Sequence, residues 1–195
     1  MAIIFSFRPQ GENEPIVYVA GGFEADNNHY RKTLLCEEVK AAGLNASGIE
    51  VFKLDSGKPC VRSADGSYSF SVSHSKGFLA VALALKGETG LDTEITNRVV
   101  QPSLMKRILS TDEPEAEKNI APLTLWTLKE AFLKMTGKGL RHAMHKVNVS
   151  SLKTNIYSAE TVVEGNRIKA DLVSFLYRNH RITLAWSAER ILYPE

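Results

Sequence analysis

The stretch Leu125–Leu140, LWTLKEAFLKMTGKGL, decides how this chain is read. Apolar side chains fall at Leu125, Leu128, Ala131, Phe132 and Met135. That three-and-four spacing predicts an amphipathic, half-buried helix. Trp126 adds a large anchor near its start, and Gly137 and Gly139 close it as helix stops do. Glu130 and Lys134 stand four apart and so share a face. An ordinary surface ion pair would account for them, and such pairs are common and weak. What lies upstream gives them a second meaning.

The chain has 195 residues, 44% hydrophobic and 24% charged, which is globular composition with room for one sizeable domain or two small ones. A net charge of +2 without a basic block argues against nucleic acid. The start MAIIFSF lacks the charged opening and long apolar core of a signal peptide. No apolar run approaches the roughly 18 residues of a membrane span. A cytoplasmic protein is expected. Cys36 and Cys60 stand outside any CxxC or Cys/His cluster and fit reduced structural thiols. No long Gly/Ser linker is visible, so any two halves must pack directly.

Strands are expected at 2–7 and 16–20, then a helix over about 29–42 that Gly43 ends. A strand follows over 49–54, and DSGKP at 55–59 reads as a tight turn. Tyr68, Phe70 and Val72 alternate with serines, giving a strand that ends at Ser73-His74-Ser75. Residues 78–85 form an apolar strand of small and branched side chains, expected to be buried on both faces. Gly87 to Gly90 turns it into Leu91-Asp92-Thr93-Glu94. The second half opens with a helix from about Pro102 to Leu109 and an acidic connection from Ser110 to Lys118. After Leu140 come strands near 147–149, 157–163, 171–177 and 181–188, with Gly165-Asn166 as a hairpin turn. The fold class is α+β. Element order suggests two similar subdomains, each a helix on a small antiparallel sheet, related by a pseudo-twofold. Their expected limits are 1–94 and 95–195.

Asp92 and Glu94 are two apart, so in an extended segment both carboxylates face one side. Two hard oxygen ligands suit Mg²⁺, which usually shares itself with a substrate's phosphates. A solvated strand end would look the same. His74 can donate to a phosphate oxygen, though a lone loop histidine is commoner. No GxxxxGKS loop, zinc spacing or GxSxG elbow is present. These absences argue against a P-loop nucleotidase, a zinc site and a serine hydrolase.

The combination is more specific than its parts. GKP at 57–59, FSVSHS at 70–75, GLDTE at 90–94, STDE at 110–113 and WTLKEAFLK at 126–134 occur in that order. The order and spacing resemble the 4′-phosphopantetheinyl transferases, in particular the two-subdomain type that activates peptide synthetases. The resemblance covers roughly residues 29 to 140. It implies transfer of the phosphopantetheine arm of coenzyme A to a serine of an apo acyl or peptidyl carrier protein, with release of 3′,5′-ADP. It also implies Mg²⁺ and, from the two-half build, a monomer.

Carried over by position, Asp92, Glu94 and Glu130 are the implied metal ligands. Glu130 is also the implied base, and Lys134 the pyrophosphate cation. His74 and Ser73 match the SHS motif that contacts coenzyme A phosphate. Lys58 matches a lysine lining the same cofactor, and Arg31 an arginine near its 3′-phosphoadenosine end. Gly90 would allow close approach of substrate or a positive φ. Trp126 reads as a core anchor and Lys129 as structural or solvated. The chain departs from the pattern in having no Lys or Arg between Gln10 and Asn28, where relatives carry cations for the 3′-phosphate. The carrier is expected to dock between Glu94 and Trp126, on Arg98, Lys106 and Arg107 rather than on Asp112, Glu113, Glu115 and Glu117. Two alternatives use the same residues: a Mg²⁺-dependent pyrophosphate or nucleotide hydrolase, and a carrier-binding module without turnover.

Overall fold

A computed structural model describes residues 3–7, 17–23, 33, 35–37, 39–40, 43, 45, 47–64, 66–112, 114–139 and 142–189. Among the described residues, the extended stretches form eleven antiparallel strands in two sheets. β1 (Ile3–Phe7), β2 (Val17–Phe23), β3 (Glu50–Lys53), β4 (Pro59–Ser63), β5 (Gly66–Ser75) and β6 (Phe78–Ala84) make the first, ordered β1-β2-β6-β5-β4-β3. β7 (Glu88–Ile95), β8 (Asn148–Lys153), β9 (Ile156–Val163), β10 (Asn166–Tyr177) and β11 (His180–Ser187) make the second, ordered β7-β11-β10-β9-β8. Helical residues at 33, 35–37 and 39–40 mark α1. They are followed by α2 (Pro102–Ile108), α3 (Pro114–Lys118) and α4 (Pro122–Met135). The class is α+β, as the element order suggests. No helix among the described residues is long and apolar enough to cross a membrane.

Strand faces set the layers. On β6, Leu79, Val81 and Leu83 pack with Leu35 and Val39 of α1, while Phe78, Ala80, Ala82 and Ala84 pack on Leu91, Ile182, Leu184 and Trp186 of the second sheet. Both faces of this strand are buried, as its unbroken apolar run implies. The far face of the second sheet carries Leu172 and Ala185 against Leu125, Leu128 and Phe132 of α4. The order of layers is therefore α1, first sheet, second sheet, α4.

Several expectations need correction. The motif strand β7 belongs to the second sheet: it is hydrogen-bonded along its length to β11. The chain changes sheets at 85–87, between β6 and β7. α4 is not half-buried but enclosed on most sides, with Leu125, Thr127, Leu128, Lys129, Ala131, Phe132, Leu133 and Met135 all buried. Pro122 supplies its first turn, and Gly137 follows it at φ 68°, a left-handed stop. Part of the acidic connection forms α3, and β4 extends out of the GKP turn. The hairpin between β9 and β10 turns on Glu164-Gly165 rather than Gly165-Asn166. Val163 pairs with Asn166, and the two turn residues have φ of 52° and 81°, the signature of a type I′ turn. Cys36 and Cys60 are free thiols.

The seam between the sheets has its own chemistry. β7 is an edge strand, so alternate N–H groups on its outer side have no ladder partner. Serine hydroxyls of β5 take them. Thr89, Leu91, Thr93 and Ile95 donate their N–H to the Oγ of Ser69, Ser71, Ser73 and Ser75 at 3.0, 2.9, 3.1 and 3.2 Å. A period-two row of serines normally reads as a wet strand face. Here it is a ladder of side chains that joins the first sheet to the second.

Candidate active site

β7 carries Gly90, Asp92 and Glu94 on one face, which α4 covers. At Gly90 the helix backbone lies directly on the strand. A Cβ there would stand 2.0 Å from the carbonyl oxygen of Ala131 and 2.4 Å from the nitrogen of Met135. The reason for glycine is therefore helix packing, not a positive φ or a substrate. Two residues further, Asp92 meets Lys134; beyond it, Glu94 meets Arg98, which stacks on Trp126. The helix thus runs antiparallel to β7, and one helical turn after another faces successive residues of the motif.

Asp92 is buried. Its Oδ1 accepts from Lys134 Nζ at 2.8 Å and from Ser73 Oγ at 3.0 Å. Lys134 Nζ also donates to Ser73 Oγ at 2.9 Å. Ser73 therefore joins the acid of one element to the cation of another, while holding the Thr93 N–H. Asp92 Oδ2 is buried and has no hydrogen-bond partner. Ser75 repeats the arrangement one step along: it holds the Ile95 N–H and donates to Glu94 Oε2 at 3.2 Å.

Glu130 sits one turn before Lys134, half-buried. Burial first, and then the Asp92 charge, push its carboxyl above the ordinary glutamate value, while Lys134 and Arg98 pull it down. A carboxyl near a like charge in a partly dry site has the environment of a tuned acid or base. Asp92 and Glu130 thus act on each other across the β7–α4 contact. Among the described residues, no three His, Cys, Asp or Glu side chains converge closely enough to hold an ion as they stand.

His74 is exposed on β5, two residues before the Lys76-Gly77 turn, beside the Ser73 that contacts Asp92. Lys58, which the resemblance sets beside the cofactor, lies just before β4. It is 3% exposed, pairs with Glu88 and donates to the carbonyl of Met135 at 2.5 Å. Burial pulls its pKa down, against the pull of Glu88. The GKP lysine thereby ties the first sheet to the end of α4. Arg31 lies outside the described residues. Lys129 is fully buried on both oxygens of Glu117, at 2.8 and 2.9 Å, and on the carbonyls of Ile108 and Met144. Its role inside the motif is structural. Glu117 also receives the N–H groups of Ser110 and Val149. Glu117 thus belongs to the core and not to a docking surface.

Three features were not read from sequence: the grip of Ser75 on Glu94, the seat of Arg98 on Trp126, and the Lys58–Glu88 pair. The serine alternation was the available signal for the first. The other two involve residues whose partners are set by the packing of different elements.

Comparison with known proteins places this geometry. A family model described as the 4′-phosphopantetheinyl transferase superfamily matches residues 88–185, from the first residue of β7 to β11. The chain is 33% identical over 95 residues to a 4′-phosphopantetheinyl transferase of Bacillus pumilus, across 45% of this chain and 40% of that protein. It is 32% identical over 88 residues to a Synechocystis sp. protein named as a candidate 4′-phosphopantetheinyl transferase, across 40% of this chain and 35% of that one. A Candida glabrata protein named L-aminoadipate-semialdehyde dehydrogenase-phosphopantetheinyl transferase is 28% identical over 120 residues, 55% of this chain and 46% of its own. The matches span less than half the length of each relative. With the model matched over half of its length, including the strand and the helix that build the site, the chain belongs to the 4′-phosphopantetheinyl transferase superfamily.

Proposed function

We propose that this chain transfers the 4′-phosphopantetheine arm of coenzyme A to a serine of an apo carrier protein and releases 3′,5′-ADP. The observation that carries the reading is the meeting of Asp92 on β7, Lys134 on α4 and Ser73 on β5 through hydrogen bonds of 2.8 to 3.0 Å. A strand from each sheet and a helix supply an acid, a hydroxyl and a cation at one seam, next to Glu130 and His74.

In the reaction, the carrier serine Oγ forms a bond to the β-phosphorus of the pyrophosphate. The bond from that phosphorus to the bridging oxygen breaks, and 3′,5′-ADP leaves. Glu130 takes the serine proton; its raised pKa suits a base that must hold a proton briefly. Lys134 turns from Asp92 to the phosphate oxygens, where negative charge builds. His74 donates to a phosphate oxygen from the solvent side.

The donor set fits a divalent cation. Asp92 Oδ2 is a buried oxygen without a partner, and the Glu130 carboxyl is disturbed by the Asp92 charge. Asp92, Glu94 and Glu130 would hold Mg²⁺, which when bound neutralises charge on the pyrophosphate oxygens. One chain supplies every group named, so a monomer is the expected form.

The test is direct. The chain is incubated with coenzyme A, Mg²⁺ and an apo carrier, and the carrier is weighed by mass spectrometry. A gain of one phosphopantetheine arm is expected. Cleavage of coenzyme A with an unmodified carrier would make the protein a hydrolase. No cleavage, with the carrier still bound, would leave a binding module.

A further inference from the structure

The strongest unassigned feature is the cation at the open end of the motif strand. After β7 the chain folds back, with Arg98 N–H donating to the Ile95 carbonyl at 3.0 Å. This turn returns the Arg98 side chain over the motif. Its guanidinium pairs with Glu94 and lies 4.7 Å from the centre of the Trp126 ring. Trp126 is half-buried at the start of α4 and packs against the core, so it is a fixed platform. Ser75 holds the other Glu94 oxygen. The same guanidinium charge reaches Glu130.

We propose that Arg98 is a positioning residue: seated on Trp126, it holds Glu94 as its own counter-ion and sets how strongly the carboxylates bind a divalent cation. The inference rests on the metal site of the preceding section. Asp92 and Glu94 are each engaged by a cation of the chain, Lys134 and Arg98. They differ in what remains. Asp92 keeps one buried oxygen without a partner, whereas Glu94 has one oxygen on Arg98 and the other on Ser75. Asp92 is thus ready for an ion, and Glu94 must first release Arg98. The cation–π contact with the indole makes that release harder than for a solvated pair, because the guanidinium is held before it meets the carboxylate. A cation so placed also repels a second one. Arg98 therefore weakens cation binding in the resting protein. Once substrate phosphates arrive, they offer the guanidinium a better anion and leave Glu94 to the metal.

The test uses Mn²⁺ as the probe and needs no turnover. Free Mn²⁺ is measured by electron paramagnetic resonance as the full-length chain is titrated, without coenzyme A or carrier. Arg98→Gln is expected to bind Mn²⁺ about five- to tenfold more tightly than the parent, the scale of losing one partly exposed ion pair and its repulsion. Trp126→Phe, with a smaller ring, falls between. In Glu94→Gln, adding Arg98→Gln should raise affinity by less than it does in the parent, because only the charge repulsion is then removed. Equal or weaker Mn²⁺ binding by Arg98→Gln, with Asp92→Asn abolishing binding, overturns the role of Arg98 and leaves the metal site standing. Binding that survives Asp92→Asn, or no binding by the parent at millimolar Mn²⁺, overturns both. Arg98→Lys guards against a folding artefact: it keeps the charge, loses the guanidinium over the ring, and should gain affinity less than Arg98→Gln.

Discussion

Lys134 Nζ on α4 lies 2.8 Å from Asp92 Oδ1 on β7, so the helix motif and the strand motif are in contact through their own side chains. Lys129, five residues earlier in the same helix, is fully buried on Glu117. The two lysines of one motif thus face opposite tasks, and variants should separate them. Lys134→Ala is expected to lower transfer by about a hundredfold or more, the scale of a lost electrostatic stabiliser, and to cost less stability than Lys129→Ala, because Lys134 is 29% exposed and Asp92 keeps its hydrogen bond from Ser73. Lys129→Ala leaves Glu117 buried without its cation and should cost about 3–5 kcal/mol of stability. Thermal unfolding beside the carrier mass assay checks both. Equal melting points for the two variants would refute the division.

Gly90 makes the site possible by letting α4 rest on β7. Gly90→Ala places a Cβ 2.0 Å from the Ala131 oxygen, which is backbone and cannot turn aside. The helix must move away, carrying Glu130 and Lys134 from Asp92. Stability should fall by about 1–3 kcal/mol or more, and transfer should be lost at temperatures where the variant is still folded. Normal transfer in a folded Gly90→Ala would show that the contact does not position the site.

Ser73 serves the seam and the site together. Ser73→Ala removes the acceptor of the Thr93 N–H and the bridge between Asp92 and Lys134. A stability loss of about 1–3 kcal/mol is expected from the buried, unsatisfied N–H, with a fall in kcat. Ser69→Ala removes an equivalent rung at Thr89, remote from Asp92. It should cost similar stability and leave kcat near that of the parent. A matching fall in kcat for both would mean that the ladder acts only through folding.

His180 gives a dependence on pH. It is buried, its Nε2–H donates to the Ser75 carbonyl at 2.9 Å, and its ring packs on Phe78 at 4.9 Å. Burial pulls its pKa below the ordinary histidine value, against that hydrogen bond. The folded chain then binds this proton more weakly than the unfolded chain. The stabilisation is complete above about pH 6.5, the unfolded value, and is lost as the pH falls through the lower folded one. The melting temperature should drop below pH 6.5, and His180→Asn should flatten that part of the curve. An unchanged slope in the variant would assign the effect to other groups.

Much of this was legible in the sequence because it is local. The three-and-four spacing of Leu125, Leu128, Ala131 and Phe132 identified α4, and alternation identified β5. The two-residue step from Asp92 to Glu94 put both acids on one strand face. The order of the GLDTE and WTLKEAFLK segments pointed to the family. Partners that come from separate elements were not legible. The Lys58 amine turned to Glu88 and Met135, because the GKP turn lies against the end of α4. Glu94 took Arg98, because a turn returns that side chain to the motif.

The sequence alone determined the residue types, their spacing along each element and hence the two motifs, since periodicity follows from the geometry of one helix or one strand. Tertiary structure decided which sheet owns β7, why Gly90 is glycine, and which cation meets which acid. Those outcomes depend on how edges and faces from distant parts of the chain satisfy one another's N–H groups and charges. The serine row of β5 shows the difference: its period is plain in the sequence, but its purpose appears only when the open edge of β7 is laid against it.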